Sequence, residues 1–353
     1  MPALLSSGAR RPGAMTMHVQ RTLPSPAAIS RGLAPVLRLP ALAAAHAIGR
    51  PALWALQQTP WARPIYHALG RRMELTRTRG GSFDGYRPDA HDVFVCSFGK
   101  SGTNWTLQIA HQIAHLGNGE FGHIHDVVPW PDELARGYAV ALDDPAPRGN
   151  SPTGLRIIKT HLPMRCIPYS PDARYVCVVR DPKDVAVSGY HFFRAVLLGP
   201  LMPPVHLWVD HFLTGESALG CWARHLHGFW EARHHPNVLF IRYEEMQRDH
   251  SDAVDRIATL MGVTLTPQQR ESVLEKSTFE HMRRIDHKFY PGLVSPLGSA
   301  RGKMMREGRS KASGSLLSET QQRQIDAACK EALQRLGSDF PYDEAFAPAG
   351  EQG

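Results

Sequence analysis

The chain has 353 residues, 42% of them hydrophobic and 21% charged, which suits one large globular domain plus an extension and excludes a chain disordered throughout. The formal net charge of +7 is unevenly placed: residues 1–73 hold nine Arg and no Lys, Asp or Glu, so the rest carries 31 basic against 33 acidic side chains, a net of −2. The main domain therefore lacks the basic face expected of a nucleic-acid binder.

The extension comes first. Residues 1–38 are rich in Ser, Pro, Ala and Arg and free of acid, which has transit-peptide character. Residues 39–56 are apolar and Ala-rich, but Pro40, His46, Arg50 and Pro51 interrupt them. No run reaches the roughly 18 residues a membrane span needs. Arg10 and Arg11 precede no clean apolar core with a small-residue cleavage site, so a secretory signal is not expected. Three readings stay open: an organellar address, a basic amphipathic segment on a membrane surface, or helices packed over the following domain. The expectation is a tail to residue 38 and packed helices around 54–72. The division expected is 1–73 as basic extension, 74–345 as main domain and 346–353 as tail.

The first strand is Val93-Phe94-Val95-Cys96, a short apolar run of buried type. It breaks into Gly99-Lys100-Ser101-Gly102-Thr103 and continues from Trp105 with helical period. Strand, glycine-rich loop and helix in that order make a phosphate cradle: backbone N–H groups turn inward, the helix N-terminus adds partial positive charge and Lys100 a full one. The loop is half of a Walker A motif, because the first glycine would fall at Phe94. Against the cradle stands a chance Gly-Lys-Ser in a tight turn.

The helix predicted over 105–116 carries His111 and His115 four apart, with His123 and His125 beyond. Such spacing can bind zinc, but Gln112 stands where a metalloprotease places Glu and no Cys lies nearby. A solvated helix face is expected instead. Residues 126–150 form a long loop region that could cover a ligand pocket.

The second strand, 155–158, runs into Lys159-Thr160-His161. A His just past the end of a strand is where open α/β sheets place ligand chemistry, and a turn histidine near solvent is the other reading. An unperturbed His titrates near about 6.5, so neutral imidazole is available as a base. The third strand, 174–179, ends in Arg180-Asp181-Pro182, with Pro182 at a helix start. Arg180 and Ser188 could converge on one anion, or Arg180 could merely pair with Asp181. Two helices follow, 206–213 and 219–234, then a fourth strand from 237 leading into Tyr243-Glu244-Glu245-Met246. Further helices are predicted over 251–262 (capped by Ser251), 266–276 and 318–336. The five cysteines are scattered without C-x-x-C, and Cys96 and Cys177 sit in strands, which suits a reducing compartment and a cytoplasmic protein.

Several of these stretches resemble the cytosolic-type sulfotransferases. Lys100-Ser101-Gly102-Thr103-Asn104-Trp105 is similar to that family's 5′-phosphosulfate loop, Lys-x-Gly-Thr-Thr-Trp, with Asn104 at the second Thr. Lys159-Thr160-His161-Leu162-Pro163 matches the pattern that carries the family's catalytic base. Arg180 to Ser188 matches its 3′-phosphate signature, Arg-x-x-Lys-Asp-x-x-x-Ser. Tyr243 sits in a Leu-x-x-x-Tyr-Glu-Asp-Met-like element, and Phe279 and Met282 in a Thr-Ser-Phe-x-x-Met-like one, both near adenine in the family. Met305-Arg306-Glu307-Gly308 resembles Met-Arg-Lys-Gly, whose Arg and Gly close on the 3′-phosphate; here Glu307 reverses a charge, and the Trp-Lys that usually follows is missing.

The resemblance covers residues 88–345. It implies a doubly wound parallel sheet of P-loop type with helices on both faces. It implies sulfuryl transfer from 3′-phosphoadenosine 5′-phosphosulfate (PAPS) to a hydroxyl or amine of a small-molecule acceptor. His161 would be the base, Lys100 would neutralise the leaving phosphate, and Lys159 and Thr103 would orient the sulfuryl group, with no metal required. The resemblance leaves a homodimer open. Two alternatives remain: a P-loop nucleotide kinase, which needs a fuller Walker loop and a Mg²⁺ carboxylate, and a non-catalytic nucleotide-binding protein, which Glu307 and the missing Trp-Lys favour.

Overall fold

The computed structural model describes residues 39–79, 81–133, 137–291, 295, 297–298, 304–305 and 312–346. Four strands form one parallel sheet in the order β2-β1-β3-β4: β1 Asp92–Ser97, β2 Arg156–Thr160, β3 Arg174–Val179 and β4 Val238–Arg242. Register pairs Val95 with Lys159 on one side of β1 and with Val176 on the other. Every residue of β1 is buried, as apolar strands covered on both faces require.

Side-chain alternation divides the interior into two cores. Phe94, Cys96, Ile158, Tyr175 and Cys177 face one side. Val93, Val95, Ile157, Val176 and Val178 face the other. The extension forms helices α1 Arg50–Gln57 and α2 Ala62–Arg79. Over the second core lie α3 Thr103–Ala114, α8 His250–Met261 and α9 Pro267–Lys276. Over the first lie α4 Pro182–Phe193, α5 Val205–Leu213, α6 Trp222–Ala232 and α11 Glu319–Arg335. Helices α7 Tyr243–Arg248 and α10 Phe279–Arg284 border the C-terminal ends of the strands. Helices on both faces of a parallel sheet make the doubly wound α/β fold the sequence implies. The connections leave β1 toward β2 on one side and β3 on the other, so a crevice opens at its C-terminal end.

Two local expectations fail. Helix α8 is capped by Asp249, whose side chain accepts from Asp252 N–H, one residue before the helix rather than at Ser251. The predicted solvated histidine face is internal: His111 is buried, its ring edge-on to Phe121, and His123 and His125 are buried too. Burial holds His111 low, at about 3, so it packs as a neutral ring. Among the described residues no group of three or more His, Cys, Asp or Glu could hold a metal ion.

At the outer end of β1 and β2, Asp92 is fully buried and accepts from Arg156 Nε at 3.0 Å and Nη2 at 2.7 Å. Removing one partner of such a pair leaves an uncompensated charge, at a cost of about 3–5 kcal/mol. Asp92→Ala should therefore lower unfolding stability by an amount of that order in urea titration. A loss near the level of a surface substitution would mean that Arg156 is solvated there.

Candidate active site

The turn after β1 is unusual in its backbone. Lys100 has φ of 74° and Gly102 of 96°, the left-handed region that a side chain rarely adopts. Gly102 is required for a second reason: a β-carbon there would stand 2.5 Å from the Tyr243 ring. Gly102 is also the N-cap of α3 and offers no side chain to its first-turn N–H groups. Ser101 Oγ is buried with no hydrogen-bond partner among the described residues. An unsatisfied hydroxyl and an uncapped helix start fit a bound anion.

Three cations converge here. Lys100 lies with Nζ 4.3 Å from the centre of the Phe192 ring. Burial, and then the neighbouring Arg180, push its pKa down to about 8. Lys159, at the end of β2, is 6% exposed. Its Nζ lies 3.4 Å from the Trp130 ring centre, and burial pushes it down to about 7. Arg180, past the end of β3, donates to the Lys100 carbonyl at 3.4 Å and pairs with Asp184 at 3.3 Å. Its carboxylate partner is thus one turn along α4, rather than the adjacent Asp181. Its guanidinium stacks 4.3 Å from the Tyr243 ring centre.

His161 is tethered at three points. Its N–H donates to Asp132 Oδ2 at 2.9 Å, its carbonyl accepts from His225 Nε2 at 2.8 Å, and its Nδ1 donates to the Ser97 carbonyl at 2.9 Å. A carbonyl can only accept, so Nδ1 carries the proton and Nε2 is the basic nitrogen. Thr103 is held from the same strand end, its hydroxyl 2.6 Å from Ser97 Oγ.

One cavity of about 470 Å³ contains these groups. Its wall includes Lys100, Gly102, Thr103, Asn104, Trp105, Lys159, His161, Arg180, Ser188, Tyr243, Phe279 and Met282. Trp105 is edge-on to Tyr243 and donates its indole N–H to the Ser277 carbonyl at 2.7 Å. Met282 is buried beside them and Phe279 is exposed at the rim. Ser101 lies beneath the wall rather than in it. Arg306 and Gly308 lie outside the described residues; Met304 and Met305, just before them, reach the cavity.

The sequence reading missed His125, Trp130, Asp132, His225 and Met73. His125 holds its Nδ1–H on the Val128 carbonyl at 3.1 Å, which leaves Nε2 to accept from Lys159 at 3.3 Å. Burial keeps His125 neutral, well below its ordinary value. For Trp130 and Asp132 the signal was the loop at 126–150, expected over a pocket; His125 stood out only for its spacing from other histidines. Lys159 N–H pins that loop to the edge of β2 by donating to the Pro129 carbonyl at 2.9 Å.

A sulfotransferase domain model matches residues 90–337. The chain belongs to the sulfotransferase family. It is an enzyme, and PAPS is the donor of the sulfuryl group it transfers. Sulfotransferase 2A1 of Macaca fascicularis is 27% identical over 259 residues, covering 71% of this chain and 88% of that protein. Sulfotransferase 1C2 of Rattus norvegicus is 30% identical over 212 residues, 56% of this chain and 67% of that one. Among solved structures, retinol dehydratase in complex with androsterone and the inactive cofactor PAP is similar with a TM-score of 0.59 at 20% identity. It covers 76% of this chain and 88% of its own. Mouse sulfotransferase SULT7A1 complexed with PAP has a TM-score of 0.56 at 23% identity, over 74% of this chain and 90% of its own. The family match and the sulfotransferase relatives decide between sulfotransfer and the kinase alternative, and the solved structures share the fold.

The cation pKa values give this sulfotransferase a pH signature. An anionic nucleotide favours the protonated form of both lysines, and in the free enzyme those protons leave at about 8 and about 7. Binding near pH 8 should therefore take up protons, and affinity should fall as pH rises from 7 to 9, by up to about tenfold per unit for each ammonium lost. Calorimetry with the desulfated product PAP, in buffers of different ionisation enthalpy, reads this directly. Heat independent of buffer at pH 8 would mean both lysines stay charged in the free site.

Proposed function

We propose that His161 is the general base of this sulfotransferase and that the acceptor is a lipophilic small molecule bearing a hydroxyl or amine. The observation that carries the reading is the Nδ1–Ser97 hydrogen bond, which turns a basic Nε2 toward chemistry in the cavity that also holds Lys100 and Lys159. Nε2 takes the acceptor proton as the acceptor oxygen or nitrogen bonds to sulfur. The bond from sulfur to the bridging phosphate oxygen breaks, and the electron pair stays on that oxygen. Lys100 neutralises the charge that grows there, and Lys159 and Thr103 orient the sulfuryl oxygens. Such a transfer needs positioning and electrostatics from the protein.

The nucleotide is held from the other side. Gly102, Thr103, Asn104 and Trp105 cradle the 5′-phosphosulfate from the cavity wall, with Ser101 beneath them. Arg180 and Ser188 hold the 3′-phosphate, a role the family resemblance also gives to Arg306 and Gly308, which lie outside the described residues. Tyr243, Phe279, Met282 and Trp105 enclose the adenine. Support for this division comes from Arg180, whose guanidinium is fixed against Tyr243 and Asp184 in the cavity wall. The same cavity wall carries Trp130, Phe192, Phe193, Leu219 and Phe289, apolar surface that suits a lipophilic acceptor. We place the catalytic unit at residues 74–345, the protein in the cytoplasm, where its five free thiols suit a reducing medium, and the extension at a membrane surface.

His161→Ala should reduce turnover by about 10²–10⁴-fold while leaving PAP affinity nearly intact. Wild-type turnover at neutral pH in that variant would remove His161 from the mechanism. Hydrogen bonds to charged groups contribute roughly 1.5–3 kcal/mol, so Arg180→Ala should weaken PAP about 10-fold or more and adenosine 5′-phosphate far less. Equal weakening of both by calorimetry would make Arg180 structural.

A further inference from the structure

We propose that the outer face of α1 and α2 docks on an anionic lipid bilayer and that the acceptor enters the cavity from that bilayer past Met73. Ten large hydrophobic side chains are exposed among the described residues, and seven lie between Leu39 and Met73. Ile65, Leu69 and Met73 follow one another in steps of four, which aligns them as one stripe along α2, and Trp61, four residues before Ile65, stands just ahead of the helix. Trp54 of α1 is equally bare, 66% exposed like Trp61.

The opposite side of α2 is already engaged. Arg63 pairs with Asp210 at 2.9 Å, Gly70 sits against His211, and Glu74 pairs with Arg224 at 3.2 Å. The stripe is thus the face turned away from α5 and α6, with Met73 at its inner end. Charge complementarity decides what it meets. No acidic residue occurs before Glu74, and Glu74 points inward to its pair. Arg50 and Arg72 are exposed beside the apolar side chains. An apolar face edged with Trp and Arg and without negative charge fits the headgroup region of an anionic bilayer. No helix among the described residues is long and apolar enough to cross a membrane, so the contact is parallel to the surface.

Met73 links this face to the chemistry, because it ends the stripe and also lines the cavity. The acceptor route rests on that cavity being the transfer site. An acceptor dissolved in the bilayer would reach it without crossing water.

The test is co-sedimentation of the full chain with phosphatidylcholine vesicles, with and without phosphatidylserine, over a salt series. PAP affinity is measured on the same samples. Binding should require phosphatidylserine and weaken as salt shortens the Debye length, about 10 Å at 0.1 M. Arg72→Ala should lower it roughly fivefold, and Leu69→Glu should abolish it, with PAP affinity unchanged in both. In the Leu69→Glu protein, turnover of a vesicle-borne alkyl phenol should fall while turnover of a water-soluble phenol holds. Full chain that binds PAP but not vesicles at low salt overturns the proposal. So does vesicle binding indifferent to both variants. A concentration-dependent dimer that Leu69→Glu dissolves, with no lipid binding, would assign the stripe to a second copy and also overturn it. Wild-type protein that fails to bind PAP would instead overturn the sulfotransfer reading, whatever the vesicles show.

Discussion

Two ammonium groups held below their ordinary pKa, Lys100 at about 8 and Lys159 at about 7, set the constraint on which the site depends. Burial disfavours their charged forms, and the carboxylates within range, Asp286 for Lys100 and Asp132 for Lys159, offset it incompletely. A chain selected for stability alone would pair or remove such charges. Here aromatic faces stand against them, Phe192 under Lys100 and Trp130 under Lys159. A ring face attracts a cation but satisfies none of its hydrogen bonds. The site is therefore built for a ligand that brings negative charge with it.

The sheet meets this constraint by geometry. Lys159 is the last residue but one of β2, Ser97 ends β1 and Arg180 follows β3, so three adjacent parallel strands deliver one group each to the same crevice. Parallel register fixes their relative heights, because Cys96 pairs with both Thr160 and Cys177. Ser97 then does two things at once: its carbonyl sets the His161 tautomer and its hydroxyl holds Thr103. Chemistry placed on strand ends needs few side chains to hold it, and the backbone does most of the orienting.

What was legible in the sequence follows from range. Strands β1 and β3 and the loop at Lys100 are contiguous patterns of hydrophobicity and glycine, so the sequence displays them directly. The supports of His161 are not contiguous. Asp132 lies 29 residues before it and His225 lies 64 after it, in a loop and a helix that only the fold brings near. The histidine face of the helix at 105–116 was expected in solvent, and the burial of His125 beyond it is equally hidden, because period alone cannot tell a polar ring on a helix or turn from one covered by a neighbour. Trp130 and the Lys159 side chain cover His125. Asp249 displaced Ser251 as a cap because both residue types cap well and only backbone direction separates them.

The extension shows the same limit from the other side. Its composition announced positive charge and apolar residues but not which of them face outward. Docking of α2 on α5 through Arg63 and Gly70 settles that, since a helix held on one side must show its other side. Hydrophobic residues left on that side are not shielded by the fold, and each costs about 25 cal/mol per Å² of apolar surface kept in water. Seven exposed large hydrophobic side chains between Leu39 and Met73 are unlike the three isolated ones elsewhere among the described residues, Tyr169, Phe279 and Leu336. Met73, shared between this surface and the cavity wall, makes the segment part of the route to the site rather than an appendage.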